Sequence, residues 1–242
     1  MMPRDIPINP RRRLVLAVAA LAGAVPAAAF GGEARGGSGR RNWPEEGDIL
    51  DKLRIADLVQ RERAARDAGE WEEMAACYHP QSTVDVSWYR GDGAGFVAAS
   101  RRNAASGRIS VHQLTPTVVT VAGTRALAET PCQLLTFAQI EGIEVCMVGT
   151  VRLLWRSQML NGGWTIAGLR IIYIRDYLVP ASPTQVPLIN EAELAGYRTS
   201  YRFLSYILAR SPNGPRQDLP GVDRAESVEA LRAGEKKWLE EK

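Results

Sequence analysis

The sequence predicts an α+β fold in which N-terminal helices pack on a strongly curved, antiparallel-rich sheet and a C-terminal helical extension follows. Three observations predict it. Apolar residues recur at helical spacing up to about residue 103, period-two runs broken by short turn signals fill 107–178, and helical spacing returns beyond 180. Strands in neighbouring order, joined by tight turns and preceded by helices, give a sheet with helices on one face.

The first 29 residues read as an export signal. Arg11-Arg12-Arg13 supplies a basic start with twin arginines, Leu14 to Val25 a short apolar core, and Ala27-Ala28-Ala29 a cleavage site before Phe30. The twin arginines favour Tat export and a periplasmic or extracellular location. The apolar run falls short of the roughly 20 residues that a stable membrane span needs, and Pro26 closes it. Residues 30–46, rich in glycine and arginine and without apolar period, form a flexible tether. A sheet-and-helix domain over 47–180 and a helical extension over 181–242 complete the organisation.

Within the domain, Asp48 reads as the N-cap of a helix running to about Ala68, with Ile49, Leu53, Ala56 and Val59 as its apolar stripe. Gly69 breaks it, and Trp71, Met74, Ala75 and Tyr78 mark a second, short helix ending at His79-Pro80. A strand through Val84–Trp88 follows, then a turn at Gly91-Asp92-Gly93 and a third helix over Ala94–Asn103. Further strands read as Ser110–Leu114, Thr117–Val121, Ala126–Leu135, Glu144–Trp155 and Trp164–Tyr177, with Asn161-Gly162 a strong hairpin signal. In the extension, Asn190 and Glu193 form a capping box for one amphipathic helix through Leu194, Tyr197, Tyr201, Leu204 and Leu208. Pro212-Asn213-Gly214-Pro215 ends it, and Asp223 with Glu226 caps a last helix to about Leu239.

Charge and cysteine count exclude several function classes. The formal net charge is +3, but Arg4, Arg11, Arg12, Arg13 and Asp5 lie in the leader, leaving 26 basic and 26 acidic residues. A neutral chain without a basic stripe gives no case for nucleic acid. Cys77, Cys132 and Cys146 cannot all pair within one chain, and a turn at Glu141-Gly142 puts Cys146 opposite about Phe137, so all three read as thiols. With two histidines and no metal-ligand spacing, neither a metal site nor a cofactor is expected.

Four segments carry a family resemblance: Ala65-Arg66-Asp67-Ala68-Gly69-Glu70-Trp71, Cys77-Tyr78-His79-Pro80, the run SVHQLTP over 110–116 and GGWTIAGLR over 162–170. They resemble the NTF2-like superfamily, in its SnoaL-like branch and, within that, the scytalone dehydratase type. The resemblance implies a cone with a pocket at its open end and frequent homodimerisation through the outer face of the sheet. It also implies that Asp67 points into the cone and holds His112 as the catalytic histidine. A carboxylate at a helix C-terminus opposes the helix dipole by a few tenths to about 1 kcal/mol, so Asp67 calls for a reason. The local alternative is a surface pair with Arg63, four residues back. A lone strand histidine such as His112 would, without the resemblance, more often read as a structural residue.

Departures from the dehydratase pattern narrow the expectation. Its two water-holding tyrosines fall on Arg66 and Val86, its second pocket histidine on Cys132, and its substrate-binding asparagine near Arg152. That points away from scytalone and toward a smaller or more apolar cyclic ligand. Val86, Trp88, Cys132 and Arg152 are the candidate pocket residues, with Arg152 suited to an anionic or enolate-bearing compound if it faces inward. Tyr197 and Tyr201 are candidates for a lid. Two functions follow: a lyase (dehydratase) or isomerase moving protons with Asp67 and His112, or a non-catalytic ligand-binding or dimeric interaction module.

Overall fold

The computed structural model describes residues 46–107, 110–211 and 214–241. The export signal, all of the tether before Glu46 and the Pro212-Asn213 stop lie outside the described residues. In chain order the elements are α1 (Glu46–Ala68), α2 (Trp71–Ala76), β1 (Tyr78–Val86), β2 (Tyr89–Asp92), α3 (Gly93–Ala105), β3 (Ser110–Leu114), β4 (Val118–Ala122), β5 (Arg125–Ile140), β6 (Ile143–Leu160), β7 (Gly163–Pro180), α4 (Glu191–Ala195), α5 (Arg202–Leu208) and α6 (Ala225–Glu240). Among these no helix is long and apolar enough to cross a membrane.

One curved sheet carries the strands in the order β2-β1-β7-β6-β5-β3, with β4 also paired to β5. β1 runs parallel to β7 and the other pairings are antiparallel. This is the cone that the resemblance implies. Its long hairpins turn at Glu141-Gly142 (φ 48° and 78°) and Asn161-Gly162 (φ 51° and 81°). Positive φ at both central residues matches the twist of the flanking strands, which is why Asn-Gly predicts the second turn. The first turn sets Cys146 opposite Phe137, and the three cysteines are free thiols.

Pleat parity decides what faces the cone. Cys132 pairs with Leu114 on one side and Val151 on the other, and all three point inward with Trp155, Leu153 and Ala128. Helices α1 and α3 close this layer through Ile55, Val59, Phe96 and Val97, giving one main core. A smaller cluster of Ile140, Val145, Leu194 and Tyr206 lies under the tail.

Several local expectations need correction. The buried stripe of α1 is Ile55, Val59 and Glu62, while Ile49 and Leu53 are exposed, because the first two turns of α1 lie clear of the sheet. The second helix ends at Ala76, and His79-Pro80 sit inside β1. Pro80 is tolerated there because pairing with β7 is irregular between Tyr78 and Thr83, so its missing N–H breaks no regular ladder. The turn after β1 falls at Ser87-Trp88, and Asp92 instead caps α3, accepting from the Gly95 N–H at 2.6 Å.

The tail is two short helices and not one amphipathic helix over 191–208. Asn190 caps α4 through the Glu193 N–H at 3.1 Å as its position predicts. The chain then leaves the helix because Arg198 donates to the Leu219 carbonyl at 2.5 Å and to Asp223 at 2.6 Å. Asp223 is thereby spent on Arg198 and Ser200 and does not cap α6. α6 lies on the outer face of β5 and β6, through Arg156–Glu235 at 2.6 Å and an Arg125 bond to the Trp238 carbonyl at 2.7 Å. That is the face through which the resemblance implied dimerisation.

Candidate functional site

The site is built at the end of α1. Gly69 takes φ 77°, and the Glu70 N–H reaches the Ala65 carbonyl at 2.8 Å while the Gly69 N–H reaches Arg66 at 3.3 Å. This left-handed helix stop fixes the last turn and with it Arg63, Arg66 and Asp67. The carboxylate that opposes the helix dipole is held from across the cone. His112 donates its backbone N–H to Asp67 Oδ2 at 2.7 Å, and its Nδ1 lies 2.8 Å from Oδ1. A carboxylate only accepts, so Nδ1 carries the proton and Nε2 keeps its lone pair. Hydrogen bonds to a charged group contribute about 1.5–3 kcal/mol each, enough to offset the dipole.

Arg63 does not pair with Asp67 at the surface. It is buried and bound through the Nε–Nη2 edge of its guanidinium to Glu62, itself 0% exposed, at 2.5 Å for the Nη2–Oε1 contact. Tyr78 donates to the same carboxylate at 2.7 Å. Glu62 continues the stripe of Ile55 and Val59 at helical spacing, so a charged residue on the core face of α1 was the signal for this buried pair. Arg63 stacks over Trp155 at 5.3 Å, and its Nη1 makes a long 3.5 Å approach to His112 Nε2.

Electrostatics set the protonation of the pair. Burial lowers the His112 pKa from its ordinary 6.5 to about 4, and the bond to Asp67 is outweighed once the positive charges of Arg63 and Arg66 are added. The carboxylate therefore does not bring the imidazole pKa up to neutral pH. Burial pushes Asp67 up, but the His112 bonds and Arg66 bring it below the ordinary carboxylate value. The pair at neutral pH is aspartate with neutral imidazole.

His112 forms part of the wall of a cavity of about 700 Å³, bounded by α1, the β1–β2 turn, α3, β3, β5 and α5. Val86 and Trp88 line it, as do Arg63, Arg66 and Phe96. Cys132 faces inward but is buried in the core, and burial pushes its thiol up to about 12. Arg152 is on the opposite face of the sheet, beside Pro131 in the ladder and bonded to Glu129 at 2.9 Å, because Val151 and Leu153 take the inward parity. Tyr197 and Tyr201 are not the lid. Tyr197 donates to Glu193 at 3.0 Å, and Tyr201 is buried against Tyr173 with its hydroxyl on Arg198. The tail covers the cavity with Leu204, Ile207 and Leu208 of α5 instead. Asp176 holds that helix, accepting from the Leu204 N–H at 2.8 Å. Among the described residues no group of histidine, cysteine and acidic side chains could hold a metal ion.

A PEP2-like protein of Fusarium vanettenii is 27% identical over 213 residues, covering 83% of this chain and 90% of its own. Pea pathogenicity protein 2 of the same fungus is 26% identical over 213 residues with the same coverage. A solved hexachlorocyclohexane dehydrochlorinase of Novosphingobium barchaimii is 14% identical, with a TM-score of 0.47, over 58% of this chain and 95% of its own. A family model described as a SnoaL-like domain matches residues 47–170, from α1, whose last turn carries Asp67, through the His112 strand and on into β7. Because that match spans just over half of the sequence, the chain belongs to the SnoaL-like domain family.

Proposed function

We propose that the protein binds a small, cyclic, largely apolar organic molecule in this cavity and moves a proton on it, as a cofactor-independent lyase of the dehydratase kind or an isomerase. The observation that carries the reading is the position of His112 on the cavity wall with its Nδ1 proton fixed on Asp67. That tautomer leaves the Nε2 lone pair as the base. Nε2 takes a proton from a carbon next to a carbonyl, and the C–H electron pair moves into the enolate. The imidazolium, stabilised by Asp67, then returns the proton either to a leaving hydroxyl, which departs as water, or to another carbon. The twin-arginine leader extends the proposal to an exported, periplasmic or extracellular protein.

The test begins with a thermal-shift screen of cyclic ketones, phenols and terpenoids, since stabilisation reports binding before the chemistry is known. For a compound that is turned over, His112→Ala should abolish turnover and Asp67→Asn should cost about 10² to 10⁴ in rate, the range of orienting carboxylates and general bases. Two observations favour the non-catalytic alternative: the Nε2 lone pair has Arg63 at 3.5 Å, and the imidazole is a weak base. Saturable binding of compounds, none of which the wild type turns over, would decide for it.

A further inference from the structure

Arg66 is the largely buried cation of this cavity with the weakest pairing. Among the described residues its one side-chain hydrogen bond runs from Nη1 to Asp67 Oδ1 at 3.3 Å, an oxygen already held by His112 at 2.8 Å. Its Nε is buried without a partner. The guanidinium sits 5.8 Å from the Trp88 ring centre and 6.0 Å from that of Phe96. Of the other cavity cations, Arg63 is spent on Glu62, Arg210 on Glu193 through two 3.0 Å contacts, and Arg102 is exposed to solvent. The wall carries Arg63, Arg66, Arg102 and Arg210 against one acid, Glu144. A buried, largely unpaired guanidinium is costly unless something else completes its hydrogen bonding.

We propose that Arg66 is the anion-binding residue of the cavity and that the ligand is an aromatic or alicyclic organic acid, its carboxylate on Arg66 and its apolar body between Trp88, Phe96 and α5. This deepens the reading of the cavity as the ligand site and is independent of whether the ligand reacts. The role suits arginine: a planar fork matches a carboxylate in two-point contact, and the aromatic rings flanking it suit a flat ligand body. It also bears on the base. Burial does most to lower the His112 pKa, and the charges of Arg63 and Arg66 add to it. A bound carboxylate neutralises one of them, so ligand binding raises the basicity of the imidazole that it is to use.

The probes are naphthoate and its uncharged isostere naphthamide, measured by calorimetry against wild type, Arg66→Gln, Arg66→Lys and His112→Ala, each checked for folding by circular dichroism. Wild type should bind naphthoate at least about tenfold more tightly than naphthamide, a preference worth about 1.4 kcal/mol. Arg66→Gln should remove the preference, Arg66→Lys should keep part of it, and His112→Ala should keep all of it. NMR titration should place the His112 pKa higher with naphthoate bound than without. Equal binding of acid and amide, a preference that survives Arg66→Gln, or no naphthoate binding overturns the assignment. Acid binding through Arg66 without proton exchange on any ligand would overturn the catalytic reading alone. Turnover of neutral ligands unaffected by Arg66→Gln would overturn this one alone.

Discussion

Acidification should destabilise the protein through His112 in a defined window. The native pKa is about 4 against an ordinary 6.5. As pH falls through 6.5 the unfolded chain takes up a proton at this residue and the native state does not, until about pH 4. The native state is therefore disfavoured by about 1.4 kcal/mol per pH unit across that window, about 3 kcal/mol in all, while above it stability from this group is constant. Asp67, held below its ordinary value, adds loss only at lower pH, as its own carboxylate is protonated. A loss of about 3 kcal/mol is large beside a typical total of about 5–15, and for a chain of this size it moves Tm by roughly 6–12 °C. Urea unfolding between about pH 7.5 and 4.5 measures it, comparing wild type with His112→Gln. Both should carry His79→Gln, because His79 is the other histidine. The slope of stability against pH should be shallower in the His112→Gln protein. Parallel slopes would refute the reasoning, since they would mean that His112 protonates as easily folded as unfolded.

Other perturbations test the framework around the site. Glu62→Gln leaves the Arg63 guanidinium buried without its carboxylate and should cost about 3–5 kcal/mol by chemical denaturation, whereas an exposed ion pair such as Arg54–Asp51 should cost under about 1. Asp176→Asn weakens the acceptor for the first N–H groups of α5, and should speed hydrogen exchange over 202–208 while leaving α6 unchanged. Changing Arg11 and Arg12 to Lys should block Tat-dependent export and leave full-length protein in the cytoplasm, read by cell fractionation.

The turns and the corner were legible because they depend on local backbone chemistry. Gly69, Glu141-Gly142 and Asn161-Gly162 each do what their residue types dictate. Asp67 was flagged by sitting against its helix dipole, and His112 by the resemblance. What was missed depends on partners distant in sequence. Arg63 was the alternative surface partner of Asp67 because four-residue spacing allows it, yet Tyr78 and the adjacent Glu62 draw it into the core. Apolar spacing ran unbroken through 194–208, but the backbone between α4 and α5 is diverted by Arg198 bonds to a segment some 20 residues on. Arg152 was readable in principle: with Val151, Leu153 and Trp155 as the large inward residues of β6, the pleat turns residue 152 outward.

The central claim is that His112, oriented by Asp67, moves protons on a ligand in the cavity. Its most direct test is solvent deuterium incorporation, followed by NMR, at the carbon next to the carbonyl of a bound tetralone carrying a ring carboxylate. The account predicts exchange in the wild type well above the uncatalysed rate, slowed about 10² to 10⁴ by Asp67→Asn and reduced to background by His112→Ala with the ligand still bound. Exchange that persists in His112→Ala, or a saturated wild-type complex that exchanges no faster than solvent, would contradict it.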